Sequence, residues 1–125
     1  MPSMLKTLSQ DRAFFVQKRI EEHKSENMKA ENYKSYAAKL PAMIVNNGLA
    51  ATLAFMKQAS GDEWRMLYQD LTIWLQQKGM IPKGKDLLDA VLDVDAVMYR
   101  HMTREALALA EWLKRLASVE FKDEK

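Results

Sequence analysis

The chain has 125 residues, of which 48% are apolar and 29% charged, a balance that belongs to one folded domain and not to a disordered segment. Its 19 Lys plus Arg and 17 Asp plus Glu nearly cancel, leaving a net charge of +2, so an anionic partner has to be met by a local patch. The lack of cysteine excludes disulfides, thiolate chemistry and cysteine-ligated zinc, and with no charged-then-apolar leader or long apolar run the expectation is a cytoplasmic chain without membrane contact.

Three prolines and four glycines punctuate stretches whose apolar residues recur every three or four positions, and no segment alternates like a strand. A first helix is expected from about Ser9 to Glu26, with Ala13, Val16 and Ile20 on one face flanked by Phe14 and Phe15. A second begins near Ala30 and carries Tyr33, Tyr36, Ala37 and Leu40 up to Pro41, whose missing amide proton predicts a kink or a fresh start. Asn46-Asn47-Gly48 supplies a residue able to take the left-handed conformation that closes a helix, with Leu49 folding back over the last turn, and a third helix follows to about Ala59. Ser60-Gly61-Asp62-Glu63 reads as a stop followed by an N-cap. Trp64, Leu67, Tyr68, Leu71, Trp74, Leu75 and Lys78 then trace a fourth helix to Gly79. Met80 to Gly84 reads as a loop and Asp86 to Leu92 as a short helix. Asp93 or Asp95 caps a last helix from about Ala96 to Ser118, followed by a charged tail from Glu120 to Lys125. With no solenoid-length repeat and no sustained heptad seam, the expected fold is all-α, a compact single-domain bundle of about six helices over residues 1–125 with flexible termini at 1–8 and 119–125.

Catalytic chemistry finds little supply. His23 and His101 fall on different helices, and neither joins a His-Glu-x-x-His pair, so both read as surface or packing residues. Asp86, Asp89, Asp93 and Asp95 form one acidic cluster, and Asp89 and Asp93 share a helical face that a divalent cation could bridge. No glycine follows Asp93-Val94-Asp95 as a calcium loop requires, and aspartates near helix starts are explained by capping. Gly79 and Gly84 flank Pro82 without phosphate-loop spacing. The sequence therefore predicts no enzyme, no catalytic residue, no metal and no cofactor.

One surface stands out. On the last helix Arg100, Arg104, Lys114 and Arg115 fall within roughly a third of the circumference, interrupted by Glu111. Met98, Met102, Ala106, Leu109, Leu113 and Leu116 lie opposite and form the expected core face. Leu107 sits among the basic residues as a subunit-contact candidate. The plain alternative is a solvated face on which Glu111 and Arg115 pair at i, i+4. Lys34, Lys39 and Lys57 extend the positive surface if the second and third helices pack beside the last.

Tyr36-Ala37-Ala38-Lys39-Leu40-Pro41-Ala42-Met43-Ile44, Asn47-Gly48-Leu49, Thr52-Leu53-Ala54-Phe55, Thr103-Arg104-Glu105-Ala106-Leu107 and Trp112-Leu113-Lys114-Arg115 occur in the order of one known family. The chain resembles the small helical subunit of the Cmr complex, the type III-B CRISPR RNA-guided effector of the RAMP module. The resemblance runs from the first helix to Ala117 and is loose at residues 25–32 and 80–85. It implies a non-catalytic subunit in antiviral defence that stacks into a short filament of itself beside the RAMP backbone subunit, in a complex with the large polymerase-like subunit. CRISPR RNA and target RNA are then the anionic partners, and Lys39, Lys57, Arg100, Arg104, Lys114 and Arg115 the cationic candidates beside them. Three rivals stand next to this reading: an independent nucleic-acid binder of helix-turn-helix type, a protein adaptor module, and a nuclease built on Asp89 and Asp93. Near-neutral charge and the scarcity of Asn or Gln on the last helix oppose the first.

Overall fold

A computed structural model describes residues 6–122, and within them the chain is all-α with no strand. The helices are α1 (Leu8–Lys24), α2 (Ala30–Asn47), α3 (Leu49–Gln58), α4 (Asp62–Gln77), α5 (Leu87–Asp93) and α6 (Ala96–Glu120). Residues 1–5 and 123–125, parts of the expected flexible termini, lie outside the described residues.

Local chemistry accounts for most boundaries. Thr7 and Gln10 close a capping box: the Gln10 amide donates to the Thr7 hydroxyl at 3.0 Å and the Thr7 amide to the Gln10 side chain at 2.8 Å. Asp86 and Asp95 cap α5 and α6, accepting from the amides of Asp89 and Met98. Gly48 closes α2 and opens α3 at φ +90°, its amide donating to the Ile44 carbonyl and its carbonyl accepting from the Thr52 amide and hydroxyl. Its ψ of 158° is extended, so this joint is no ordinary left-handed cap, and Leu49 packs in the core as the first residue of α3.

Three expectations need correction. Helix α2 runs unbroken through Pro41, with no fresh start. A proline inside a helix costs about 3 kcal/mol, and α2 recovers it by burying Tyr33, Ala37, Leu40, Pro41 and Ile44 along its whole length. The N-cap expected within residues 60–63 is Gly61 at φ +140°, with no side-chain hydrogen bond. Glu63 instead turns away and accepts from the Lys29 amide at 2.7 Å, capping α2 from a distant part of the chain. Finally, α6 continues to Glu120, which pairs with Lys24 at 2.8 Å, and Phe121 packs edge-on against Tyr33.

The core is a single cluster from all six helices, with Val16, Ile20, Leu40, Leu53, Leu67, Leu71, Met102, Leu109 and Leu113 fully buried. Helices α2 and α6 form the largest interhelical contact. They run antiparallel, since Ala50 just past α2 donates to Tyr99 near the start of α6 while Tyr33 meets Phe121 at its end. Ala37 of α2 and Ala106, Ala110 and Ala117 of α6 are all buried. Helix α1 lies against α6 and α4, and α3 packs on α2, α4 and α5. Leu113→Ala should cost about 2–5 kcal/mol in denaturant unfolding, whereas Leu92→Ala, at a side chain 66% exposed, should stay within about 0.5 kcal/mol. Gly48→Ala should cost about 1–3 kcal/mol through backbone strain, because an added methyl meets only the Tyr99 hydroxyl at an ordinary 3.5 Å.

Candidate interaction surfaces

Helix α6 has buried its apolar stripe inward, so the opposite stripe faces solvent. Arg100, Arg104, Lys114 and Arg115 are all exposed on it. Among the described residues none of the four makes an ion pair; Arg115 alone has a neighbour, its guanidinium 6.0 Å from the Trp112 ring. The alternative pairing of Glu111 with Arg115 is thus not formed. Met98 is 37% exposed and Leu116 half-buried, so the core face is narrower than the pattern implies. Leu107 is also half-buried, packing against the core while keeping part of its side chain at the surface.

The remaining candidates sit elsewhere. Lys57 is spent on Asp86 at 3.0 Å, where the same carboxylate accepts from the Tyr68 hydroxyl at 2.8 Å. Burial pushes the Asp86 carboxyl up, but hydrogen bonds from Lys57, Tyr68 and the Asp89 amide outweigh it and hold the group below its ordinary value. Lys39 lies 5.9 Å from the Tyr36 ring, which stacks on Trp64 of α4 at 4.5 Å, so it marks the seam of α2 with α4. Lys34 is half-buried on α2. The structure therefore sets the four cations on one exposed face of α6, with Lys39 on α2 and Lys57 on α3 in a pair with Asp86.

The acidic cluster is used for architecture. Asp86 and Asp95 are caps, and Asp93 pairs with Lys85 at 2.9 Å, which holds its carboxyl below the ordinary range. Among the described residues no three histidine or carboxylate groups converge as metal ligands. No described helix is long and apolar enough to cross a membrane.

Two polar clusters inside the bundle escaped the sequence reading. Asp70, fully buried, accepts from Arg19 Nε at 2.7 Å, from the Tyr33 hydroxyl at 3.3 Å, and pairs with His23 Nε2 at 2.9 Å. Burial, then the neighbouring Asp70 charge, drives the Tyr33 phenol well above its usual range. His23 thus has the orienting carboxylate that the sequence reading did not find, but histidine, aspartate and tyrosine are all sealed from solvent. The second cluster is Glu105, held by Arg12 at 2.7 and 2.9 Å and by the Trp74 indole at 2.7 Å. The Arg12 hydrogen bond is the main reason its carboxyl stays below the ordinary value. A signal was available: Asp70 falls between Leu67 and Leu71, and Glu105 between Met102 and Ala106, so each carboxylate occupies the i+3 place of an apolar stripe. His101 is exposed.

The family described as CRISPR-associated protein (Cas_Cmr5) matches residues 8–120. The chain belongs to the Cmr5 family. Its relative "CRISPR system Cmr subunit Cmr5" from Thermus thermophilus is 33% identical over 85 residues, 68% of this Cmr5-family chain and 71% of that protein. The crystal structure of a CRISPR-associated Cmr5 family protein, also from Thermus thermophilus, aligns with TM-score 0.75 at 29% identity, covering 90% of this chain and 99% of the other. The resemblance read from Asn47-Gly48-Leu49 and the Thr103 to Arg115 block therefore holds.

For this Cmr5-family bundle, Asp70→Ala should cost about 3–5 kcal/mol, since it strands Arg19 and His23 in the interior. Glu105 has a depressed folded-state pKa, so its contribution is complete above an ordinary value near 4.5 and is lost as pH falls through the folded value. Unfolding measured from pH 7 to pH 3 should accordingly show a shallower acid loss for Glu105→Gln than for the unsubstituted chain.

Proposed function

We propose that this chain is a non-catalytic structural subunit of the type III-B Cmr ribonucleoprotein effector. It works in the cytoplasm, stacks with copies of itself beside the RAMP backbone subunit and near the large polymerase-like subunit, and turns the outer face of α6 toward paired guide and target RNA. The observation that carries the RNA assignment is the set of four exposed cations, Arg100, Arg104, Lys114 and Arg115, none of which forms an ion pair among the described residues, with Glu111 the one carboxylate in their stripe. A lysine already paired, such as Lys57, has little to gain from a phosphate, whereas an unpaired cation gains the entropy of released counterions. Stacked copies repeat the stripe, so a few charges per copy sum to a positive track along an RNA backbone. A net charge of +2 makes such a subunit a weak binder alone and a useful one in an array.

Absence of catalysis is favoured by the fate of the groups that could perform it. The His23 and Asp70 pair is walled into the core, and Asp86, Asp93 and Asp95 are committed to caps and lysines. The helix-turn-helix reading finds no support in α6, whose exposed stripe offers charges suited to phosphates and no amide side chain suited to base edges.

Reconstitution with the other Cmr subunits tests the proposal. Arg100→Glu combined with Arg104→Glu should leave the exposed positions folded and the complex assembled, yet weaken target-RNA binding and lower the log–log salt slope by about 2 per subunit engaged. Unchanged assembly and unchanged RNA binding would remove the stripe from the RNA interface. Metal-dependent RNA cleavage by the purified chain, lost in Asp89→Ala, would overturn the non-catalytic assignment.

A further inference from the structure

A groove of about 520 Å³ runs between α1 and α4, lined by Phe14, Phe15, Ile73 and Trp74, with Lys18 and Lys78 beside the carboxylates of Asp11 and Glu22 on its rim, Glu22 being held by Arg19 at 2.7 Å. Phe14 leaves 53% of its surface in water. Lys6 and Lys18 hold their ammonium groups 5.5 and 5.3 Å from its ring centre, and Lys78 sits 4.7 Å from that of Trp74. Among the described residues Lys6 and Lys78 make no ion pair, and Lys18 reaches only exposed Glu21 at 3.8 Å. Trp74 is only 3% exposed, so Phe14 supplies most of the apolar surface; with Glu22 paired to Arg19, the cations Lys6, Lys18 and Lys78 outnumber Asp11, and the groove asks for an apolar side chain accompanied by carboxylates.

The chain carries that counterpart. At the junction of α5 and α6, Leu92 is 66% and Val97 55% exposed. Asp89 and Asp93 lie one turn before and one residue after Leu92; Asp89 forms no ion pair and Asp93 has only exposed Lys85 as partner. This ridge and the groove belong to different sides of α4. Asp70 and Trp74 turn one flank of α4 toward Arg19, His23 and Phe15 of α1, whereas Tyr68 turns another toward α5, bonding Asp86 and the Leu88 amide. Residues two apart on a helix do not face the same way, so the ridge does not fill the groove of its own molecule.

We propose that the Leu92 and Val97 ridge of one copy seats in the Phe14 and Trp74 groove of the next, with Lys18 and Lys78 facing Asp89 and Asp93. The contact joins two unlike patches and leaves a free groove at one end of every pair and a free ridge at the other. Head-to-tail contacts of this kind grow into an open filament unless their rotation closes a ring. The inference rests on the reading of the chain as a stacking Cmr subunit and names the faces that stack.

Because the chain has no cysteine, site-directed crosslinking is clean. Chains carrying Phe14→Cys and Leu92→Cys together are assembled into the Cmr complex and treated with a short bis-maleimide, each end of which adds one thiol across its double bond. The expected result is a ladder of crosslinked copies for the double-cysteine chain, dimers alone when the two single-cysteine chains are mixed, and no crosslink between copies of either single-cysteine chain by itself. Lys18→Glu with Lys78→Glu should thin the ladder about tenfold, and adding Asp89→Lys with Asp93→Lys should restore it. An absent ladder in a complex that contains the chain, dimers from one single-cysteine chain alone, or crosslinks to a different subunit would each overturn the contact. Exclusion of the unsubstituted chain from the complex would instead overturn the subunit reading beneath it.

Discussion

The fold turns on the placement of Asp70. A carboxylate with no solvent exposure is tolerated only when its charge is met, and here Arg19 and His23 from α1 and Tyr33 from α2 converge on it. Those bonds have direction, unlike apolar contacts, so they fix how α1 and α2 sit on α4. Glu105 repeats the device one layer away, joining Arg12 of α1, Trp74 of α4 and its own helix α6. Between them the two carboxylates pin α1 at both halves, a helix in which Val16 and Ile20 are the only fully buried apolar side chains.

The two clamps shape the outside of the molecule. By consuming Arg12, Arg19 and His23 internally they leave the external positive charge to a few places, of which the outer face of α6 is the most coherent. Pinning α1 beside α4 also opens the groove floored by Phe14 and Trp74, because Trp74 is drawn to Glu105 by its indole nitrogen and stacks obliquely against Phe15. The outside of the bundle thus carries unlike patches on separate sides, a cationic stripe on α6 and an aromatic groove between α1 and α4.

The interior histidine pair illustrates why chemistry has to be judged by access as well as by residue type. His23 beside Asp70 has the components of a general base and its orienter, but the imidazole, the carboxylate and the Tyr33 ring are all enclosed. Their role is to hold three helices together, in keeping with a Cmr5-family chain read as a structural component.

Six helices, their order and most of their ends were legible in the amino acids because the signals are local: the period of Leu67, Leu71 and Trp74, the capping carboxylates of Asp86 and Asp95, and the glycine that alone tolerates the geometry at position 48. Family membership was legible too, in ordered short motifs. Tertiary structure decided what depends on distant neighbours. Pro41 stays inside α2 since its packing on α6 outweighs one lost hydrogen bond; Glu63 caps α2 and not its own helix; and Lys57 pairs with Asp86 3.0 Å away. Each of these is an interaction between residues separated by many positions in the chain, and its energy depends on a distance that local periodicity does not encode.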